Sequence, residues 1–127
     1  MLVIGYSYGS LIGAAAASEI PSSIGYVALG PPLSYAWALY IFNSGSILKK
    51  AAESVGKPKL LVVGDADQFC SVKAFEKFCS TLPDPKSTLV ASGVDHFSLH
   101  TIIPKVLVEW VTAAFGVGDL EAFARGV

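Results

Sequence analysis

The chain has 127 residues, 53% of them hydrophobic and 15% charged, with a net charge of −1 from nine basic and ten acidic residues. That length makes one domain the expectation, and the apolar content is ample for a core. The charge balance excludes nucleic acid as a partner: no basic run extends beyond Lys49-Lys50, whereas phosphate backbones are held by clustered Lys and Arg.

Leu2-Val3-Ile4 is a short apolar run ending at Gly5, and residues 8–18 follow as a helix of small residues closed before Pro21. Residues 2–17 have the apolar, Ala-rich look of a secretory leader, but no basic region precedes them. Ile24 to Leu29 reads as a strand of β-branched and aromatic residues, stopped by Gly30-Pro31-Pro32. Residues 24–42 carry no charge, a length that approaches a membrane span. Pro31 and Pro32 would break a spanning helix, so no membrane segment is expected. An aromatic run (Tyr35, Trp37, Tyr40, Phe42) precedes a helix near 46–55, closed by Gly56.

Leu60 to Val63 is the clearest strand. Residues 71–81 form an amphipathic helix with Val72, Phe75, Phe78 and Cys79 on one face and Ser71 as N-cap. Ser87 to Ala91 is a further strand. The last helix spans about 98–115, with Ile102, Ile103, Val106, Leu107 and Trp110 inward, and Pro104 should end, restart or kink it. Residues 116–127 read as a short tail. Strands alternating with helices, and a low charged fraction, imply an α/β fold: a parallel sheet of about four strands with helices on both faces. Cys70 and Cys79 form neither a CxxC pair nor a His/Cys cluster with metal-ligand spacing. Reduced thiols in a cytoplasmic protein, with no metal or organic cofactor, are the expectation.

In open parallel sheets chemistry gathers beyond the carboxyl ends of the strands. After the first strand stands Gly5-Tyr6-Ser7-Tyr8-Gly9. It fits the G-x-S-x-G turn, in which a strained strand-to-helix bend presents a serine hydroxyl and flanking side chains would collide with neighbouring backbone. The N–H of Tyr8 and the helix N-terminus would favour an oxyanion there. After the clearest strand stands Gly64-Asp65-Ala66-Asp67, where either aspartate has the chemistry to orient a histidine. After the last strand stands Ser92-Gly93-Val94-Asp95-His96-Phe97. His96 there has the acid–base chemistry to take a serine proton and return it, and Asp95 is expected to shape the loop. His100, four residues on, is the alternative base.

These three segments, 5–13 (Gly-Tyr-Ser-Tyr-Gly-Ser-Leu-Ile-Gly), 60–67 (Leu-Leu-Val-Val-Gly-Asp-Ala-Asp) and 94–97 (Val-Asp-His-Phe), resemble the α/β-hydrolase superfamily, in particular its small soluble hydrolases. The resemblance covers residues 2–115 and keeps that family's order of Ser, Asp, His. It implies Ser7 as nucleophile, Asp67 as the acid through a G-x-x-D pattern, His96 as base and the Tyr8 N–H in the oxyanion hole. It further implies a serine hydrolase of an ester, thioester or small amide. Tyr35 and Trp37 are candidates for the substrate pocket, or equally for core packing. The strands match the last four of the family's eight, so residues 1–127 are expected to be one partial domain cut from a longer enzyme. The alternative is a non-catalytic module that binds a partner, or a second copy, through its exposed first strand.

Overall fold

The structure, a computed structural model, describes residues 1–35 and 44–116. Four strands, β1 (Leu2–Tyr6), β2 (Gly25–Leu29), β3 (Lys59–Gly64) and β4 (Lys86–Ala91), form one all-parallel sheet in the order β1-β2-β3-β4. Among the described residues, four α-helices alternate with them: α1 (Tyr8–Glu19), α2 (Ser44–Ala52), α3 (Val72–Ser80) and α4 (Ile103–Phe115). Among the described residues, 3₁₀ segments occupy Leu33–Tyr35, one turn, and His96–Thr101, two turns.

The sheet divides its side chains by the two-residue period of a strand. Tyr26 and Ala28 of β2, with Leu61 and Val63 of β3, meet α1, α2 and α3 on one face. Val27, Leu29, Leu60 and Val62 point the other way, onto α4 through Trp110, Val106 and Leu107. β2 and β3 are buried at every position, which is why they read as unbroken apolar runs. Small residues let α1 lie close to the sheet. Ala14 and Ala17 are buried, and a Cβ at Gly13 would already touch the Val3 side chain at 3.4 Å.

The element boundaries differ from the sequence reading in instructive ways. β1 runs through Gly5 to Tyr6 because both residues keep their register with β2, opposite Ala28 and Leu29. The expected helix at 98–115 is two pieces. His96–Thr101 is 3₁₀, and Pro104 stands in the first turn of α4, where its missing N–H costs nothing. The helix expected near 46–55 begins two residues earlier and ends at Ala52.

Two lysines close helix ends. Lys57 Nζ donates to the carbonyls of Ala17 and Ile20 at the end of α1 (2.7 and 2.9 Å). Lys86 Nζ does the same for Cys79 and Leu82 after α3 (2.9 and 2.8 Å). Each places a positive charge at the carbonyl end of a helix, the negative end of its dipole. No helix among the described residues is long and apolar enough to cross a membrane.

Candidate active site

Ser7 follows β1 and immediately precedes α1 with φ 55° and ψ −130°, a region that L-residues rarely occupy. Three hydrogen bonds hold it there. Its N–H donates to the Leu29 carbonyl at 2.8 Å, and its carbonyl accepts from Ser10 N at 3.0 Å and Ser10 Oγ at 2.6 Å. Ser10 is fully buried, so this brace is shielded from water. The Ser7 hydroxyl makes no capping bond to α1. It lies 3.0 Å from His96 Nε2 instead.

On its other side the imidazole meets a carboxylate: His96 Nδ1 and Asp67 Oδ2 are 2.8 Å apart, with side chains 3% and 0% exposed. A carboxylate only accepts, so Nδ1 carries the hydrogen and Nε2 of the neutral ring presents its lone pair to the serine hydroxyl. The remaining oxygen of Asp67 accepts the N–H groups of Phe69 and Cys70 at 2.8 and 3.1 Å. The turn after β3 therefore aims this carboxylate through its own backbone.

Asp65, the other candidate acid, does not reach the imidazole. Its Oδ1 accepts the Gly93 N–H at 2.8 Å and ties the β3 turn to the β4 turn. Asp95 accepts from Ser98 N at 2.8 Å, capping the 3₁₀ turn that begins with His96. Hydrogen bonding to Ser98, through its side chain first and its backbone N–H next, holds the Asp95 carboxyl below the usual range. His100 donates from Nδ1 to the Phe97 carbonyl at 2.8 Å, within its own turn, and is exposed. Trp37 and Tyr40 lie outside the described residues, as does the side chain of Tyr35.

Several neighbours carried no sequence signal. Tyr6 OH donates to the His96 carbonyl at 2.8 Å, and Gln68 Oε1 accepts the His96 N–H at 3.2 Å. Gly30 has φ 56°, and a Cβ there would stand 3.1 Å from His96 Nδ1. Only a glycine lets β2 end against the imidazole. Its Gly-Pro-Pro context reads as a strand stop, so its role beside the ring was visible only once the chain was folded. Cys70 is buried, its thiol pushed up to about 11 mainly by that burial. A thiol so protonated is a poor nucleophile. An apolar cavity of about 290 Å³, walled by Tyr6, Leu29, Phe97, Leu99, His100 and Ile103, opens beside these groups.

No family model and no curated protein matches the sequence. Solved structures do match. The esterase domain of a Rhodothermus marinus protein superposes with a TM-score of 0.68 at 18% identity, over 87% of this chain and 60% of that one. A Pyrococcus furiosus esterase gives 0.69 at 19% identity, over 88% and 52%. A monoacylglycerol lipase from Paleococcus ferrophilus gives 0.69 at 18% identity, over 88% and 68%. The chain thus spans 60% and 52% of the two esterases' own length. At these identities the likeness speaks to architecture: the chain has the α/β-hydrolase fold.

Proposed function

We propose that the chain carries the chemistry of a serine hydrolase acting on an ester, thioester or small amide, with Ser7, His96 and Asp67 as its triad. The observation that supports this reading is the unbroken series of contacts from hydroxyl to imidazole to carboxylate, 3.0 and 2.8 Å long. It starts from a serine held in a strained turn. Such strain persists only where surrounding structure over-determines it, and it clusters at sites of function.

In this mechanism Ser7 Oγ attacks the substrate carbonyl carbon while its proton passes to His96 Nε2. Asp67 keeps the ring in the right tautomer and stabilises the imidazolium without taking the proton itself. The negative oxygen faces the N-terminus of α1, where the Tyr8 N–H is the donor proposed. Collapse expels the alcohol, thiol or amine, which takes the proton from His96 and leaves an acyl group on Ser7. Water then repeats the cycle and frees the acid. The apolar cavity favours an uncharged acyl or alkyl group at the site. Two buried, unpaired thiols fit a reducing cytoplasm.

Reaction of the folded chain with a fluorophosphonate tests the proposal. Labelling should fall on Ser7 and vanish in Ser7→Ala; a folded chain that stays unlabelled defeats it.

A second reading has its own support. β1 is an edge strand, with Ile4 and Tyr6 49% and 45% exposed. An edge of this kind pairs readily with another strand. A stable dimer or heteromer without hydrolase activity would favour a partner-binding module over the enzyme.

A further inference from the structure

Tyr6 grips His96 in two ways. Its hydroxyl donates to the His96 carbonyl, and its ring lies 5.0 Å from the imidazole at a 33° tilt. The contact links β1 to the 3₁₀ turn 90 residues further along the chain. Phe69 and Phe97 meet the same imidazole edge-on, at 4.7 and 5.3 Å.

The two ring-nitrogen bonds orient the imidazole in its own plane. How far the ring stands from Ser7 also depends on where the backbone of residue 96 is held. Ser92 and Gly93, just upstream, are exposed. The His96 N–H has one side-chain partner, the neutral amide of Gln68 at 3.2 Å. The bond at the carbonyl, from Tyr6 at 2.8 Å, ties residue 96 directly to β1. Burial pushes the Tyr6 phenol up from its ordinary value, with Asp67 and Asp95 adding to the effect, so it remains a donor at working pH.

We propose that Tyr6 is a positioning residue that keeps His96 Nε2 within reach of the Ser7 hydroxyl, clasping the His96 carbonyl and covering one face of its ring. The proposal rests on the reading of Ser7 as nucleophile. Its chemical consequence concerns the moment of proton transfer. When the imidazole gains the serine proton it becomes a cation, and the face of the Tyr6 ring attracts a cation at this range. The clasp also resists the recoil of the loop as the serine proton leaves Oγ. Misplacement by about 1 Å at such a pair costs up to about a hundredfold in rate.

Tyr6→Phe removes the clasp and keeps the ring; Tyr6→Leu removes both. The rate of Ser7 labelling by a fluorophosphonate, and kcat and KM on a p-nitrophenyl ester, are measured alongside the thermal midpoint. Tyr6→Phe, which keeps the ring in the cavity wall, should label about tenfold more slowly with kcat falling and KM unmoved; Tyr6→Leu should label about a hundredfold more slowly. Folded variants that label at the parent rate overturn the proposal. A separate measurement does not require turnover: the proton NMR signal of the His96 Nδ1–H, shielded from exchange in the parent, should broaden in Tyr6→Phe. An unchanged signal overturns the clasp. A parent chain that shows the signal but never labels defeats the Ser7 reading instead. Should Tyr6→Leu fail to fold, Tyr6→Phe carries both measurements alone.

Discussion

Gly5 and Gly9 frame the same serine but stand in opposite steric situations. A Cβ at position 5 would overlap the Gly9 carbonyl oxygen and lie 2.7 Å from the Ser10 Cα. A Cβ at position 9 would meet no described heavy atom within 4 Å. The sequence reading expected both flanking positions to exclude side chains; only Gly5 does, because β1 passes directly under the first turn of α1.

Gly5→Ala should therefore force β1 and α1 apart and destabilise the chain by about 2 kcal/mol or more, the usual scale of overpacking. Gly9→Ala should be neutral, or stabilising by up to about 1 kcal/mol, since alanine suits a helix better than glycine. Thermal or urea unfolding of the two variants distinguishes them. Equal losses would contradict the geometry of this turn.

Asp67→Asn should keep the turn and lose the chemistry. The amide oxygen can still accept from Phe69 and Cys70, as Oδ1 does now. Its NH₂ would then face His96 Nδ1 as a donor, placing the ring hydrogen on Nε2, where it blocks acceptance from Ser7. A loss of about 10⁴ in kcat is the scale for a wrong tautomer. Asp65→Asn, which keeps its bond to the Gly93 N–H, should leave Ser7 labelling unchanged. Equal effects of the two substitutions would remove Asp67 from the proposed triad.

Stability should fall in alkali, first through two buried thiols and, above pH 10, also through the buried Tyr26 phenol, which burial raises from its ordinary value. Burial raises Cys70 and Cys79 from 9.0 to about 11 in the folded chain. Below pH 9.0 both states hold the protons and the full stability is present. From pH 9 towards 11 the unfolded chain sheds protons that the folded chain retains, so stability is lost as pH rises. Lys59 works the other way, its burial lowering it from 10.5 and relieving a cost as pH rises. A comparison with Cys70→Ala and Cys79→Ala isolates the thiols. Urea midpoints of the variants should decline less steeply between pH 9 and 11 than those of the parent; parallel slopes would refute the assignment.

The hydroxyl of Tyr26 is buried in the core beside the Ser54 hydroxyl, without a hydrogen bond of good geometry among the described residues. The Ser54 hydroxyl beside it donates to the Ala51 carbonyl at 2.7 Å. Removing an unsatisfied buried polar group relieves its desolvation. Tyr26→Phe should thus leave stability equal or raise it by up to about 1 kcal/mol. A measured loss above that would reveal a bond that the resting geometry does not contain.

The order of elements was legible because strand and helix periods are local properties. The apolar runs at 24–29 and 60–63, the amphipathic face of α3 and the Ser71 cap, which accepts from Ala74 N at 3.2 Å, follow from neighbours within a few residues. The three candidate side chains were legible because each stands just beyond a strand, and parallel strands bring their carboxyl ends to one edge of the sheet.

What the local pattern left open was every choice between near neighbours. Asp65 and Asp67 are alike in sequence, and only the turn that donates two N–H groups to Asp67 aims that one at His96. Tyr6 read as a spacer within a motif, and its hold on a residue 90 positions away exists only once β1 and the 3₁₀ turn are packed together. Gly30 read as a strand stop, yet its missing side chain is the space the imidazole uses. Local chemistry decides which segments become strands and helices; contacts distant in sequence decide which side chains those elements bring together, because they depend on where the sheet sets its ends.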